Sequence, residues 1–250
     1  AYAEMFGQAI DRVRDGGAVV WNQNDAGLAK LVEDRKSKLE SRNVSSAPVG
    51  RTYDQKLLVP GEMNARNAAM AAAAVNAWKS DIDPSVISRA LAGFPGVWRR
   101  FEKVGELDGV PVISDYGHHP TEVRETLKAA KAAFPEKRLI LCFQPHQRNR
   151  TKHLFNDFVG VFNGVDVLIL AEIYDVPGRE AEEDKDVSSR VLLEAVEAWD
   201  RQHQVERERL YVPDLTQAEA AIRTIVKPGD AVIVMGAGTI DGVARRLVRP

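Results

Sequence analysis

The side chains best suited to bind an anionic substrate lie in two short segments of the chain. The first contains His118 and His119, and the second contains His146, Arg148 and Arg150. A guanidinium group can hold a carboxylate or a phosphate through two parallel hydrogen bonds, and a helix expected to begin just after Arg150 would add positive potential there. The second segment therefore favours an anion site.

Both segments also have structural interpretations. His118 and His119 could cap a helix that begins at Pro120, and they make an unconvincing metal site because no third ligand stands at a recognised spacing. Arg148 and Arg150 could belong to a solvated loop. The residue types alone leave these alternatives open.

A glycine-containing turn near the end of the chain is the third candidate. Gly236-Ala237-Gly238 follows a strand-like run and precedes a helical pattern. It lacks the third glycine of the dinucleotide-binding fingerprint, because Asp241 occupies that position. We therefore interpret it first as a tight turn and second as a phosphate cradle.

An alternation of strands and helices is expected to bring these segments together. Asp108-Gly109 is a hairpin signal between two strand-like runs. Further strand-like runs, with helical patterns between and after them, occupy residues 138–143, 165–171, 210–212 and 231–235. This order predicts a mainly parallel α/β sheet covered on both faces, whose ligands bind beyond the carboxyl ends of the strands. The polar segments all follow such ends.

The first 95 residues are predicted to be mainly helical. Asp25 and Asp83 are candidate N-caps of two helices. The alanine-rich helix expected over residues 64–79 should be buried, because its small side chains allow close packing. Residues 36–56 look polar and irregular, with short edge strands at most. Phe94-Pro95-Gly96 is the best candidate for a domain boundary.

Three smaller features complete the local predictions. Cys142 lies in a predicted buried strand and is expected to be an inert core thiol. Thr216 and Glu219 have the spacing of a capping box for a later helix. The acidic run from Glu182 to Asp186 is expected to be a solvated loop.

Composition limits the classes of protein that the chain could belong to. Of the 250 residues, 44% are hydrophobic and 28% are charged, which excludes collagen-like and wholly disordered chains. A net charge of -2 argues against nucleic-acid or membrane-surface partners, and a single cysteine excludes an internal disulfide framework. With no long apolar run and no signal pattern, we expect a cytoplasmic protein. Because the chain begins with Ala1 rather than methionine, we expect a piece of a longer protein.

Taken together, the motifs resemble those of the Mur ligases of peptidoglycan synthesis over nearly the whole chain. The matching segments, in order, are GEMNARNA at 61–68, GVWRRFE at 96–102, DYGHHPTE at 115–122, FQPH at 143–146, RT at 150–151 and GAG at 236–238. The third and fourth are similar to the branch of the family that joins L-alanine to UDP-N-acetylmuramate.

The resemblance implies a domain organisation and a reaction. Residues 1–95 would be the later half of the central α/β ATPase domain, and residues 96–250 the whole Rossmann-like C-terminal domain. The implied reaction is amide formation: ATP phosphorylates the muramoyl carboxylate, the amine of L-alanine attacks the acyl phosphate, and ADP and phosphate leave.

Roles at the nucleotide follow from the same resemblance. Asn64 and Asn67 match asparagines that contact adenine, whose edge suits an amide because an amide both donates and accepts. Asp115 matches a residue that contacts the ribose. Arg100 matches an arginine that reaches the ATP phosphates from the C-terminal domain, and we expect it to be catalytic.

Roles at the acceptor substrate follow as well. The residues that match positions near the muramoyl-alanine end are Tyr116, His118, His146 and Arg150, of which His118 is expected to be catalytic. Two residues depart from the family pattern, Met63 in place of histidine and Gln147 in place of arginine. We expect Arg148 to supply the charge that Gln147 lacks.

The sequence also lacks parts of such an enzyme. It contains no phosphate-binding loop of the form GxxxxGK(S/T), so the ligands for Mg²⁺ are expected outside this chain, as is the UDP-sugar domain. The chain alone is therefore expected to be inactive. Two alternatives remain, a murein-recycling peptide ligase of the same family and a non-catalytic module that binds a nucleotide or a UDP-sugar.

Overall fold

The computed structural model describes residues 2–176, 178 and 186–249. The chain divides into two compact units, unit 1 (Ala1–Pro95) and unit 2 (Gly96–Pro250). Glu182 to Asp184 of the predicted acidic loop lie outside the described residues, whereas Asp186 is described and pairs with Lys152.

Unit 1 consists of short helices around two parallel strands. Its elements are α1 (Tyr2–Asp11), β1 (Ala18–Asn22), α2 (Ala26–Glu33), α3 (Lys36–Ser41), β2 (Ser45–Val49), α4 (Glu62–Trp78) and α5 (Pro84–Ala92). Strand β1 pairs with β2, and a small core contains Ile10, Val32, Leu39 and Val44. The two predicted aspartate caps are confirmed, because Asp25 accepts a hydrogen bond from the Leu28 amide and Asp83 from the Ser85 amide.

Two predictions for unit 1 are wrong. Residues 36–41 form helix α3 rather than irregular chain, and because Leu39 is its one buried residue, the sequence shows no apolar periodicity there. Helix α4 buries Ala68 and Ala69, while most of its other alanines are half-buried or exposed. Small side chains permit close packing but do not by themselves supply a partner surface.

Unit 2 is a six-stranded sheet with helices between the strands. Its elements are β3 (Glu102–Leu107), β4 (Val110–Asp115), α6 (Pro120–Ala133), β5 (Arg138–Phe143), α7 (Arg148–His153), α8 (Phe155–Val159), β6 (Val167–Ala171), α9 (Ser189–His203), β7 (Glu208–Val212), α10 (Leu215–Ile225), β8 (Asp230–Met235) and α11 (Asp241–Leu247). The strand order is β3-β4-β8-β5-β6-β7. Only β3 runs antiparallel to its neighbour, which confirms the mainly parallel α/β fold and the hairpin at Asp108-Gly109.

The central strands form the core of unit 2. Every residue of β4, β6 and β8 is buried, and Cys142 in β5 is fully buried. The fully buried Cys142 is a core residue, as predicted, and burial raises the pKa of its thiol to about 12. Strands covered on both faces explain the continuous apolar runs in the sequence.

One predicted helix start in unit 2 is wrong. The cap of α10 is Asp214, whose carboxylate accepts a hydrogen bond from the Gln217 amide at 2.8 Å. Thr216 lies inside the first turn and cannot form the predicted capping box with Glu219. Asp214 takes the cap position two residues earlier because aspartate is also a strong N-cap residue.

Candidate functional site

The sheet register brings the polar segments to one edge. Asp115 of β4 pairs with Met235 of β8, and Met235 pairs with Phe143 of β5, so these three strands end side by side. The main chain continues this alignment, because the Gly236 amide donates to the Asp115 carbonyl and the Gln144 amide donates to the Met235 carbonyl. Residues that follow the three strands therefore emerge together, as expected for a ligand site in an open α/β sheet.

Asp115 anchors the first of the emerging loops. Its carboxylate accepts hydrogen bonds from the Gly117 amide at 2.7 Å and the Phe101 amide at 2.8 Å. The residue is only 3% exposed, and this burial raises the pKa of its carboxyl group. Asp115 mainly fixes the backbone that carries Tyr116 and His118.

The structure separates the two adjacent histidines. His119 caps α6, because its Nδ1 accepts a hydrogen bond from the Thr121 amide while Glu122 accepts from the His119 amide. The structural interpretation is therefore correct for His119. The His118 ring lies elsewhere, with Nδ1 3.2 Å from the Tyr116 carbonyl and 3.4 Å from the Glu122 carboxylate.

Four of the predicted substrate residues form a continuous cluster. The centroids of the Tyr116 and His118 rings are 5.4 Å apart, and those of His118 and His146 are 5.7 Å apart. Arg150 places Nη1 3.5 Å from Nδ1 of His146. We call Tyr116, His118, His146 and Arg150 the histidine cluster.

The surroundings of His146 disfavour a positive charge on its ring. Burial lowers the pKa of His146 most, and the nearby Arg150 and His118 lower it further, against a smaller opposing effect of Asp175. His146 is therefore neutral at pH values where an ordinary histidine is partly protonated. Arg150 supplies a permanent positive charge beside it.

The adjacent arginines 99 and 100 have different surroundings. Arg99 is 7% exposed, and its guanidinium donates to the carbonyls of Gly236 and Gly238. Arg100 has a half-exposed side chain that lies over the Tyr116 ring, 5.3 Å from its centroid. The ion pair of Arg100 with Glu122 is long, at 3.8 Å. Arg99 thus supports the fold, and Arg100 can reach a ligand.

The Gly236-Ala237-Gly238 segment is a tight turn against its neighbours. A Cβ on Gly236 would lie 2.7 Å from the Gln144 carbonyl oxygen, and one on Gly238 would lie 2.7 Å from Cγ of Tyr174. Gly236 also has a φ of +152°, a conformation that side chains rarely adopt. Close approach of other chain segments explains both glycines without a phosphate.

Arg148 does not have the role expected from sequence. Its Nε lies 2.7 Å from the Asp175 carboxylate and its Nη2 3.2 Å from that of Glu172, and it also donates to the Val187 carbonyl. Helix α7 begins at Arg148 rather than after Arg150. The guanidinium is neutralised within the fold, so it does not replace the charge that Gln147 lacks. Arg150 is the better candidate.

Replacement of Arg148 by methionine is expected to lower the free energy of unfolding by about 2–3 kcal/mol, because it leaves two part-buried carboxylates without their counter-charge. Arg150→Met is the matched control, with an expected loss below about 1 kcal/mol. Urea unfolding followed by circular dichroism measures both. Equal losses for the two variants would contradict the assignment of Arg148 to the fold.

The two asparagines of the adenine prediction lie in α4 of unit 1. Asn64 is half-buried and donates from Nδ2 to the Pro60 carbonyl at 2.7 Å, which leaves its Oδ1 as acceptor. Asn67 is exposed on the same helix, three residues on. Their amide groups remain the candidate adenine contacts of unit 1.

Two residues of the site were not assigned from sequence. Tyr174 stacks on His146, and Glu122 accepts hydrogen bonds from the amides of both His118 and His119. The position of Tyr174 after a predicted strand was a signal, but a weak one without the strand order. Glu122 could have been found as the third residue after the predicted cap His119.

Neither a metal centre nor a membrane span is evident in the described part of the chain. Within it, no three histidine, cysteine, aspartate or glutamate side chains are grouped so as to hold a metal ion. The helices in the same residues are too short or too polar to cross a bilayer.

Several known proteins are similar to this chain in sequence. The family model described as "Mur ligase, glutamate ligase domain" matches residues 99–238. The UDP-N-acetylmuramate–L-alanine ligase of Nitrosomonas eutropha is 40% identical over 205 residues, which cover 80% of this chain and 41% of that protein. The ligase of the same name from Trichlorobacter lovleyi is 41% identical over 272 residues, which cover 98% of this chain and 56% of that protein. The chain spans about half the length of these relatives.

Solved structures share the fold. UDP-N-acetylmuramate-alanine ligase MurC of Thermotoga maritima superposes with a TM-score of 0.59 at 27% identity, covering 80% of this chain and 40% of that one. FolC of E. coli, solved with DHPP and ADP, gives a TM-score of 0.61 at 18% identity over 98% of this chain and 56% of that one. The murein peptide ligase of Psychrobacter arcticus gives 0.59 at 18% identity over 98% of this chain and 53% of that one.

Proposed function

Because the chain belongs to the Mur ligase family, we propose that it is the carboxyl-terminal part of a cytoplasmic, ATP-dependent ligase that joins L-alanine to UDP-N-acetylmuramate. The observation that carries the proposal is the histidine cluster, which combines one cationic side chain with two imidazoles at the carboxyl ends of β4 and β5. Curated relatives about 40% identical bear the name of that ligase. Unit 1 would belong to the central ATPase domain and unit 2 would be the C-terminal domain.

Arg150 binds the carboxylate of L-alanine in this proposal. An amino-acid acceptor brings one negative charge that must be neutralised without blocking its amine, and a guanidinium does this through directional hydrogen bonds. The side chain of Arg150 reaches His146 and has no carboxylate partner within the described residues. Arg148 cannot serve, since Asp175 and Glu172 neutralise it.

The two imidazoles have opposite hydrogen-bonding partners at Nδ1. Nδ1 of His118 faces the Tyr116 carbonyl, which can only accept, so the neutral ring carries its proton on Nδ1 and its lone pair on Nε2. Nδ1 of His146 faces the Arg150 guanidinium, which can only donate, so His146 is protonated on Nε2. His118 is therefore suited to accept the proton that the amine of L-alanine loses during attack. His146 is suited to donate a hydrogen bond to the substrate.

Arg100 balances the phosphate charge. Phosphorylation of the muramoyl carboxylate by ATP gives an acyl phosphate and ADP, and attack by the amine then forms the amide bond and releases inorganic phosphate. Both steps concentrate negative charge on phosphoryl oxygens, which a guanidinium stabilises. Arg100 is half-exposed beside Tyr116, next to the histidine cluster.

Adenine and ribose would be contacted by three further residues. Adenine would contact Oδ1 of Asn64 and the side-chain amide of the exposed Asn67. Each oxygen of Asp115 keeps a second lone pair, through which it could accept a ribose hydroxyl. The ligands of Mg²⁺ in this proposal lie outside this chain, since its sequence has no phosphate-binding loop with its Ser or Thr.

Two other functions compete with this proposal. A murein-recycling peptide ligase shares the fold, as the Psychrobacter arcticus structure illustrates, but that likeness at 18% identity concerns the fold alone. A module that binds a nucleotide or UDP-sugar without catalysis would not need the complementary histidines. Sequence identity near 40% to the L-alanine ligases favours the first proposal.

The acceptor substrate distinguishes these functions. In the full-length ligase we expect release of phosphate that depends on both UDP-N-acetylmuramate and L-alanine, whereas the 250-residue chain alone should release none. The decisive comparison keeps UDP-N-acetylmuramate and replaces L-alanine with an L-alanine-containing peptide. Turnover with the peptide only would favour the recycling ligase, and turnover with neither acceptor would favour the binding module.

A further inference from the structure

Tyr174, to which the proposed reaction gives no role, is fixed against His146. The two rings are stacked with centroids 5.5 Å apart and an interplanar angle of 22°. The Tyr174 amide donates to the Pro145 carbonyl at 2.9 Å, and the Gln147 amide donates to the Tyr174 carbonyl at 2.8 Å. Because these bonds join the main chains on both sides of His146, the stacked arrangement is held by the backbone.

The glycine turn also contacts Tyr174. A Cβ built on Gly238 would lie 2.7 Å from Cγ and 3.0 Å from Cδ2 of the Tyr174 ring. Real Cβ atoms do not approach other atoms this closely, so any side chain at position 238 would displace the ring. The Tyr174 ring is thus confined by Gly238 as well as by His146.

His146 lacks the usual means of orientation. A functional histidine is commonly oriented by a carboxylate or carbonyl that accepts from one ring nitrogen. In the part of the chain that the structure describes, the hydrogen-bonding neighbour of the His146 ring is Arg150, a donor, and the other nearby imidazole is His118. Asp175 influences His146 only through its charge. Ring stacking is therefore the contact that fixes the imidazole plane.

We propose that Tyr174 is the positioning residue of His146 and holds its imidazole with Nδ1 towards Arg150 and Nε2–H available to substrate. The catalytic meaning of this inference rests on the proposed ligase function, but the positioning itself does not. An aromatic platform orients a neutral imidazole without adding a charge that would compete for Arg150. Tyrosine and phenylalanine should serve equally, because the stack uses the ring and not the hydroxyl.

The first test measures His146 directly by NMR titration of its ring in the 250-residue chain. Tyr174→Ala is expected to raise the pKa of His146, because it removes part of the burial that lowers this pKa most. The charges of Arg150, His118 and Asp175, which also face His146, are unchanged by this substitution. Tyr174→Phe should leave the pKa unaltered. An unaltered pKa in Tyr174→Ala would overturn the proposal.

A second variant keeps the tyrosine and moves it. Gly238→Ala should displace the Tyr174 ring and shift the His146 ring resonances in the folded chain. Gly242→Ala is the matched control, since its Cβ would approach only the flexible end of Arg246, at 3.2 Å. Equal His146 resonances in Gly238→Ala and wild type would contradict the proposal even if Tyr174→Ala failed to fold.

Activity then separates this proposal from the ligase function. In the full-length ligase, Tyr174→Ala should lower kcat/KM for L-alanine about tenfold or more, mainly through KM, and Tyr174→Phe should restore it. If His146 responds to the Tyr174 and Gly238 substitutions but neither wild type nor any variant uses L-alanine, the positioning role stands and the ligase proposal fails. If L-alanine is used but His146 does not respond to Tyr174, the positioning role fails alone.

Discussion

Replacement of Asp200 by alanine is expected to lower the free energy of unfolding of unit 2 by about 3–5 kcal/mol. Its carboxylate lies 2.7 Å from Nη2 of Arg207 and 3.0 Å from Nη1 of Arg209. The side chains of Asp200 and Arg207 are each only 1% exposed. Removal of the carboxylate leaves a buried guanidinium without its counter-charge.

The same ion pairs join α9 to β7. Helix α9 ends at His203 and is followed by Gln204 with a φ of +55°, after which the Val205 amide donates to the Asp200 carbonyl. Arg207 also donates to the Phe162 carbonyl, so Asp200 indirectly anchors the segment before β6. Replacement of Asp200 should therefore destabilise β7 and the segment before β6 as well as α9.

Urea unfolding of the 250-residue chain, followed by circular dichroism, measures this effect. Glu197→Ala is the matched control, because Glu197 is exposed one turn earlier on α9 and should change stability by no more than about 0.5 kcal/mol. A loss for Asp200→Ala as small as that of the control would mean that the buried ion pairs do not stabilise unit 2.

Replacement of Arg100 by alanine is expected to reduce kcat of the full-length ligase about 10²- to 10³-fold, because a charge aimed at the reacting phosphate is lost. Arg100 suits this role because its ion pair with Glu122 is long and its side chain is half-exposed beside Tyr116. Arg99 cannot compensate, since its guanidinium is held by the carbonyls of Gly236 and Gly238.

Steady-state release of phosphate measures the effect of Arg100→Ala. The matched control is Arg124→Ala, which removes an exposed arginine from α6 of the same unit and should leave turnover unchanged. Thermal unfolding of both variants should match wild type, because neither arginine is buried. Wild-type turnover in Arg100→Ala would remove Arg100 from the proposed reaction.

Much of unit 2 was predictable from sequence because its strands have a simple physical signature. Strands β4, β5, β6 and β8 are buried on both faces and read as continuous apolar runs, and Asp108-Gly109 supplies an unambiguous turn. Strand order was not predictable. The insertion of β8 between β4 and β5 depends on packing between elements remote in the chain.

Unit 1 was harder for the same physical reason. Helix α3 buries one residue, Leu39, so it has no periodicity to detect. The alanine-rich α4 has strong helix propensity, which correctly predicted its existence, but propensity contains no information about what covers a helix. For α4, therefore, the predicted helix is correct and the predicted burial is wrong.

The site was predictable as a set of residues but not as a set of contacts. Motif resemblance selected His118, His146 and Arg150, and the structure places them together. It also selected Arg148, which the fold neutralises through Asp175, a residue 27 positions away in sequence. Tyr174 was missed because its contact with His146 exists only once β5 and β6 are paired.

The central claim is that Arg150 in the histidine cluster recognises the carboxylate of the amino acid. Its most direct test compares L-alanine with L-alaninamide, which retains the amine but lacks the negative charge, as acceptors for the full-length ligase. Wild type should prefer L-alanine about tenfold or more in kcat/KM, the size expected of a hydrogen-bonded charge pair. Arg150→Gln should lose most of this preference and still accept L-alaninamide at nearly the wild-type rate. An undiminished preference for L-alanine in Arg150→Gln would contradict the account.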